Sequence, residues 1–149
     1  MTGRGGSVRG TADREALSIY AAEDAAAADF PPRRYRTFAE LAAHVDSIVC
    51  SDWWAESFPT APTEVHVERR SRTATFSAAC RLEDAGILWF VDREHWTAAV
   101  VCHELAHVAT GHDHDARFRQ ALVRLWRREC GFPAATGLTA QLALRAPTG

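Results

Sequence analysis

The sequence predicts an α+β domain from three observations: helical periodicity towards both ends, a period-2 alternation in the middle, and His103-Glu104-Leu105-Ala106-His107 inside a helix-type apolar pattern. With 149 residues, 47% of them apolar, the chain suffices for one core and falls short of two comfortable ones. A single domain over residues 12–146 is expected, preceded by a Gly/Arg-rich tail, residues 1–11, expected to be disordered.

Residues 13 to about 29 are Ala-rich and carry Leu17, Tyr20 and Ala21 at helical spacing, and Pro31 and Pro32 end that helix. Thr37-Phe38-Ala39-Glu40 then has the form of a capping box ahead of an apolar stripe of Phe38, Leu41, Ala42, Val45, Ile48 and Val49. Past Trp53-Trp54 and a turn at Pro59 and Pro62, Thr63, Val65 and Val67 alternate with Glu64, His66 and Glu68, the pattern of a half-buried strand. Two more strands are expected, at about 73–81 and, after an Asp84-Ala85-Gly86 turn, at 87–91. The motif helix follows, with Asp92 as its expected N-cap, Glu94 in its first turn and Gly111 as a left-handed C-cap. A second helix presents Phe118, Ala121, Leu122, Leu125 and Trp126 as a core stripe, with Arg117, Arg124, Arg127 and Arg128 on its solvated face. Gly131 and Pro133 close it, and a short last helix is expected at 136–145. Trp53, Trp54, Trp89 and Trp96 are expected to pack in the core or at its rim.

The formal charge of −2 gives no reason to expect nucleic acid or an anionic membrane as partner. No apolar run approaches the ~18 residues of a membrane span, and the N-terminus lacks the apolar core of a secretory signal, so a cytoplasmic protein is expected. Cys50, Cys80, Cys102 and Cys130 show no C-x2-4-C spacing, and reduced thiols packed as small hydrophobes are expected.

The chemistry lies in His103-Glu104-x-x-His107. Two imidazoles four residues apart stack on one face of a helix and can hold one metal ion between them. Glu104 is rotated by about 100° from His103, which sets its carboxylate beside the metal as a general base for water. Val100, Val101, Leu105, Val108 and Ala109 surround the trio, so burying it without a ligand is costly. A catalytic zinc takes three protein ligands and keeps a fourth position open. Gly111 can reverse the chain, so that His112, Asp113, His114 or Asp115 swings back as the third; imidazole chemistry favours a histidine over a lone carboxylate, and His114 is preferred to His112 partly on the resemblance given below. His44, His66 and His95 have no spacing partner and read as structural.

The motif followed by His114-x-x-x-Phe118 resembles the small gluzincin-like metallopeptidases, in particular the SprT-like and WLM families. The short length, the opening from Asp13-Arg14-Glu15 to Tyr20-Ala21-Ala22-Glu23 and the helix, sheet, motif-helix order are still more similar to a family of small actinobacterial metallohydrolases named by prediction. The resemblance covers most of residues 13–146, and only the motif region is specific. It implies a minimal zincin-like fold, one zinc held by His103, His107 and His114, and Glu104 as catalytic acid/base. In two respects the chain departs from that pattern: the segment between His107 and His114 is short, and Asp115 stands where Gly is common. No C-terminal zinc ribbon follows, so the DNA-linked role of the SprT-like proteases is not implied.

Three rivals are weighed. The metzincin register fails, because Thr110 and Asp113 occupy its Gly and third-His positions. Gly111-His112-Asp113-His114 also resembles the end of the metal motif of bacterial rRNA-maturation endoribonucleases, but those lack Glu after the first His and suit a more basic cleft. A non-catalytic zinc protein has no need of a general base at Glu104. The sequence therefore predicts a zinc-dependent hydrolase, by preference a metallopeptidase acting on a peptide or protein, with Glu104 taking a proton from zinc-activated water and passing it to the leaving amine.

Overall fold

Local signals at the helix ends account for most of the element order. The computed structural model describes residues 2–70, 77–91 and 93–146. Among them are six α-helices and a three-stranded mixed sheet: α1 (Thr2–Asp29), α2 (Phe38–Val49), α3 (Asp52–Ser57), β1 (Glu64–Arg69), β2 (Ala78–Arg81), β3 (Ala85–Phe90), α4 (Ala98–Thr110), α5 (Ala116–Cys130) and α6 (Phe132–Leu144). The fold is α+β. Its elements fall into two compact units, one from Met1–Pro31 with Asp113–Gly149 and one from Pro32–His112.

In the first unit α1 and α5 each pack on α6. Helix α1 extends beyond the expected start at Asp13, since elongating an existing helix costs far less than nucleating one. The stripe expected on α5 is buried, Phe118, Leu122, Leu125 and Trp126 completely, and Arg117, Arg124, Arg127 and Arg128 are exposed. Pro133 opens α6 rather than closing α5. In the first turn its missing N–H deprives no hydrogen bond, so the last helix starts four residues before the expected 136. The Ser18 hydroxyl donates to the Arg145 carbonyl at 2.6 Å and ties α1 to the end of α6.

In the second unit the sheet order is β1-β3-β2, with β1 parallel and β2 antiparallel to β3. Val65 and Val67 are half-buried, while Glu64, His66 and Glu68 are exposed, as their alternation predicts. Residues 71–76, the first part of the strand expected at 73–81, lie outside the described residues. Gly86 is not in a turn but within β3, paired with Val65 and Arg81. Gly86, Leu88 and Phe90 line the buried face of β3, and a Cβ on Gly86 would come 3.1 Å from Val108 of α4, so this face is the one α4 covers.

Helix α2 begins as expected, with the Glu40 amide donating to Thr37 Oγ1 at 3.1 Å. Only half of the capping box forms. The Glu40 carboxylate accepts from the Arg36 amide at 3.2 Å and the Arg33 guanidinium at 2.7 Å rather than from Thr37. The short α3 was not expected; Ser51 caps it by accepting from the Trp54 amide at 3.2 Å, and Asp52 favours its first turn. Trp54 and Trp96 are buried, their indoles donating to the carbonyls of Pro62 and Val91 at 3.0 Å each. Of the four thiols only Cys102 is buried; Cys50 is exposed and meets Asp46 at 3.7 Å, so the small-hydrophobe expectation fails there. Among the described residues no helix is long and apolar enough to cross a membrane.

Candidate metal centre

The motif helix is started by Thr97, whose hydroxyl accepts from the Val100 amide at 3.3 Å. That corrects the expected cap: Asp92 lies outside the described residues, Glu94 sits in a separate 3-10 turn at Arg93–His95, and α4 opens at Ala98. A hydroxyl next to an apolar run serves as well as a carboxylate here, and the antiparallel bridge of Thr97 with Arg34 fixes it. At the other end Arg81, the last residue of β2, sets its guanidinium 3.5 Å from the carbonyls of Val108 and Ala109 and bonds the Thr60 carbonyl. The site helix is thus held at both ends by its own unit.

Between those ends α4 is buried almost all round, from Val101 to Ala106 and at Val108 and Ala109. His103 and Glu104 lie inside that apolar surface at 3% and 5% exposure, beside a half-buried His107. The His103 and His107 rings stand 5.0 Å apart between centroids at 69°, one turn apart on the face that the spacing predicts. His107 Nδ1 donates to the Gly111 carbonyl at 2.8 Å. Gly111 does cap the helix, but with φ 117 and ψ −168 it lies outside the left-handed helical region expected for it, in backbone territory open essentially to glycine.

Past Gly111 the four candidate third ligands separate. His112 and Asp113 are exposed. Asp115 is the N-cap of α5, its Oδ1 accepting from the Phe118 amide at 3.0 Å. His114 is half-buried, with its ring edge-on to Phe118 at 4.9 Å and to Tyr20 at 6.1 Å between centroids, and its carbonyl accepting from Arg119 at 3.3 Å. His103 and His107 thus offer two imidazoles from one face of α4 to a metal ion. Imidazole ligands fit a first-row transition metal, zinc among them, and fit magnesium or calcium poorly. The other histidines are engaged elsewhere: His44 tilts against Tyr35, His66 pairs with Glu64 at 3.2 Å, and His95 bonds Ser77 at 2.9 Å.

Sequence reasoning missed two contributors. The Gly111 carbonyl gave no signal, since a backbone acceptor has no letter of its own. Tyr20, against His114, stands in the sequence reading only in an apolar helix stripe and in the N-terminal opening that carries the resemblance, with no role at the site. Phe118 was visible at the i+4 position from His114, a spacing that here carries a ring contact.

The chain matches no protein-family model, no curated protein and no solved structure.

Proposed function

We propose that the chain is a zinc-dependent hydrolase, by preference a metalloendopeptidase of the SprT-like and WLM-like kind, with Glu104 as its general base. The observation that carries this reading is the pair of imidazoles, His103 and His107, stacked on one face of α4 with ring centroids 5.0 Å apart and the buried Glu104 next to His103 on the same helix. When bound, zinc supplies Lewis acidity, polarising a carbonyl and easing the deprotonation of water. His103, His107 and His114 would hold the ion, and His103 and Glu104 are buried, at 3% and 5% exposure. Glu104 takes the proton of the attacking water and delivers it to the departing amine. Among the described residues strand β2 is at an edge of the sheet, where an extended peptide can add its backbone. The reading takes a peptide or protein as substrate and the cytoplasm as the place of action.

The test is metal content per chain, by mass spectrometry, on protein purified without affinity-tag histidines. One zinc is expected in the wild type and in His112→Ala, with loss or marked weakening in His103→Ala, His107→Ala and His114→Ala. A wild type without stoichiometric metal overturns the proposal. Stoichiometric zinc with no cleavage across a broad peptide library overturns its enzymatic half.

A further inference from the structure

We infer that Gly111 is a positioning residue for the metal: its carbonyl selects the tautomer of His107 that presents Nε2 as the ligand atom, an inference that rests on the zinc reading above. A neutral imidazole binds a metal through the nitrogen without the proton, and the bond made by the other nitrogen decides which that is. His107 Nδ1 lies 2.8 Å from the Gly111 oxygen, and a carbonyl has no proton to give. The bond therefore requires the hydrogen on Nδ1 and moves the lone pair to Nε2. The Gly111 amide in turn donates to the His107 carbonyl at 2.7 Å, so the two residues are joined by two bonds of opposite sense. The helix cap and the tautomer lock are one device.

Glycine is needed here for torsion and not for room. A Cβ at 111 would meet nothing within 4 Å, whereas φ 117 with ψ −168 is strained for any L side chain. An alanine that relaxes to negative φ swings the 111–112 peptide and carries the carbonyl away from Nδ1. His107 then loses its fixed tautomer and ring orientation.

The experiment reads tautomer and affinity separately. Two-bond ¹⁵N–¹H spectra of the metal-free wild type are expected to show His107 protonated on Nδ1. Zinc affinity, by competition with a chromogenic chelator, is expected to fall about 10- to 100-fold in Gly111→Ala. A second variant avoids backbone strain: His112→phenyllactate turns the 111–112 amide into an ester and weakens the Gly111 carbonyl as an acceptor, with His112→Phe as its reference. His112 is exposed, and the ester protein is expected to bind zinc more weakly than His112→Phe. If Gly111→Ala does not fold, the ester pair decides alone. A zinc-binding wild type with His107 protonated on Nε2, or unchanged affinity in the ester protein, overturns this inference and leaves the zinc reading standing. A wild type that binds no zinc overturns that reading, and with it the ligand role argued here.

Discussion

Asp115 Oδ1 accepts the Phe118 amide proton at 3.0 Å, and the Phe118 ring so placed stands 4.9 Å from that of His114. A carboxylate that sequence alone leaves among the possible metal ligands is thereby committed to starting α5 and seating the aromatic beside the third histidine. Asp115→Ala is expected to lower stability by about 1 kcal/mol, and Asp115→Asn by only a few tenths, since Asn caps nearly as well. Both are expected to keep wild-type zinc stoichiometry. Urea unfolding together with metal analysis checks this; loss of zinc in Asp115→Asn to the extent seen in His114→Ala would make Asp115 a ligand.

The contact between β3 and α4 depends on a missing side chain. A Cβ on Gly86 would fall 3.1 Å from Val108 Cγ1 and 3.3 Å from Cγ2, tighter than most packed carbons sit, so Val108 would have to give way by a few tenths of an ångström. Gly86→Ala is expected to destabilise by about 1–3 kcal/mol through overpacking. Val108→Ala removes both methyls that the new Cβ meets, so the double variant is expected to lose less than the sum of the two single losses. A double-mutant cycle with no coupling would mean that α4 shifts freely over the sheet.

Signals that act within a few residues were legible. Thr37, the α5 stripe and the His103/His107 face all depend on spacing along one element, and each appears where the pattern puts it. What depended on a competing local partner was not: Thr97 starts α4 because the chain bridges to Arg34 there, and the Glu40 carboxylate turns to Arg33 and Arg36. Sheet order was out of reach, because pairing β1 with β3 rather than with β2, the next strand in the chain, is a choice between distant segments of similar pattern. The preference for His114 over His112 rested on chemistry and resemblance; the direction of the chain after Gly111, which a letter code does not carry, leaves His112 exposed and His114 between two rings.

His95 makes acid a specific burden on the fold. The Ser77 hydroxyl accepts the Val91 amide at 3.4 Å and keeps a proton that it can donate to a neutral His95 ring at Nδ1, 2.9 Å away. Burial holds the His95 pKa below the ordinary 6.5, against the opposing pull of Glu94. Between the two values the unfolded chain binds a proton that the folded one refuses, so stability is full above pH 6.5 and falls as pH drops through the folded value. In urea titrations at a series of pH values, His95→Gln is expected to flatten that slope. A His95 ring titrating by NMR above 6.5 in the folded protein contradicts the argument.

Glu104 gives the sharpest separation of holding a metal from using it. It is 5% exposed on a helix whose neighbouring positions are apolar, beside a histidine at 3%, so its carboxylate adds nothing to hydrophobic packing. Glutamine has the same shape and keeps hydrogen-bonding capacity but cannot accept the proton of water at neutral pH. Glu104→Gln is therefore expected to keep zinc stoichiometry and fold while turnover falls by about 10²- to 10⁴-fold, the range for loss of a positioned general base. The measurement pairs metal analysis with single-turnover cleavage of a substrate found in the peptide library. Full activity in Glu104→Gln would sink the proposed mechanism, and loss of zinc in that variant would move Glu104 from proton carrier to ligand.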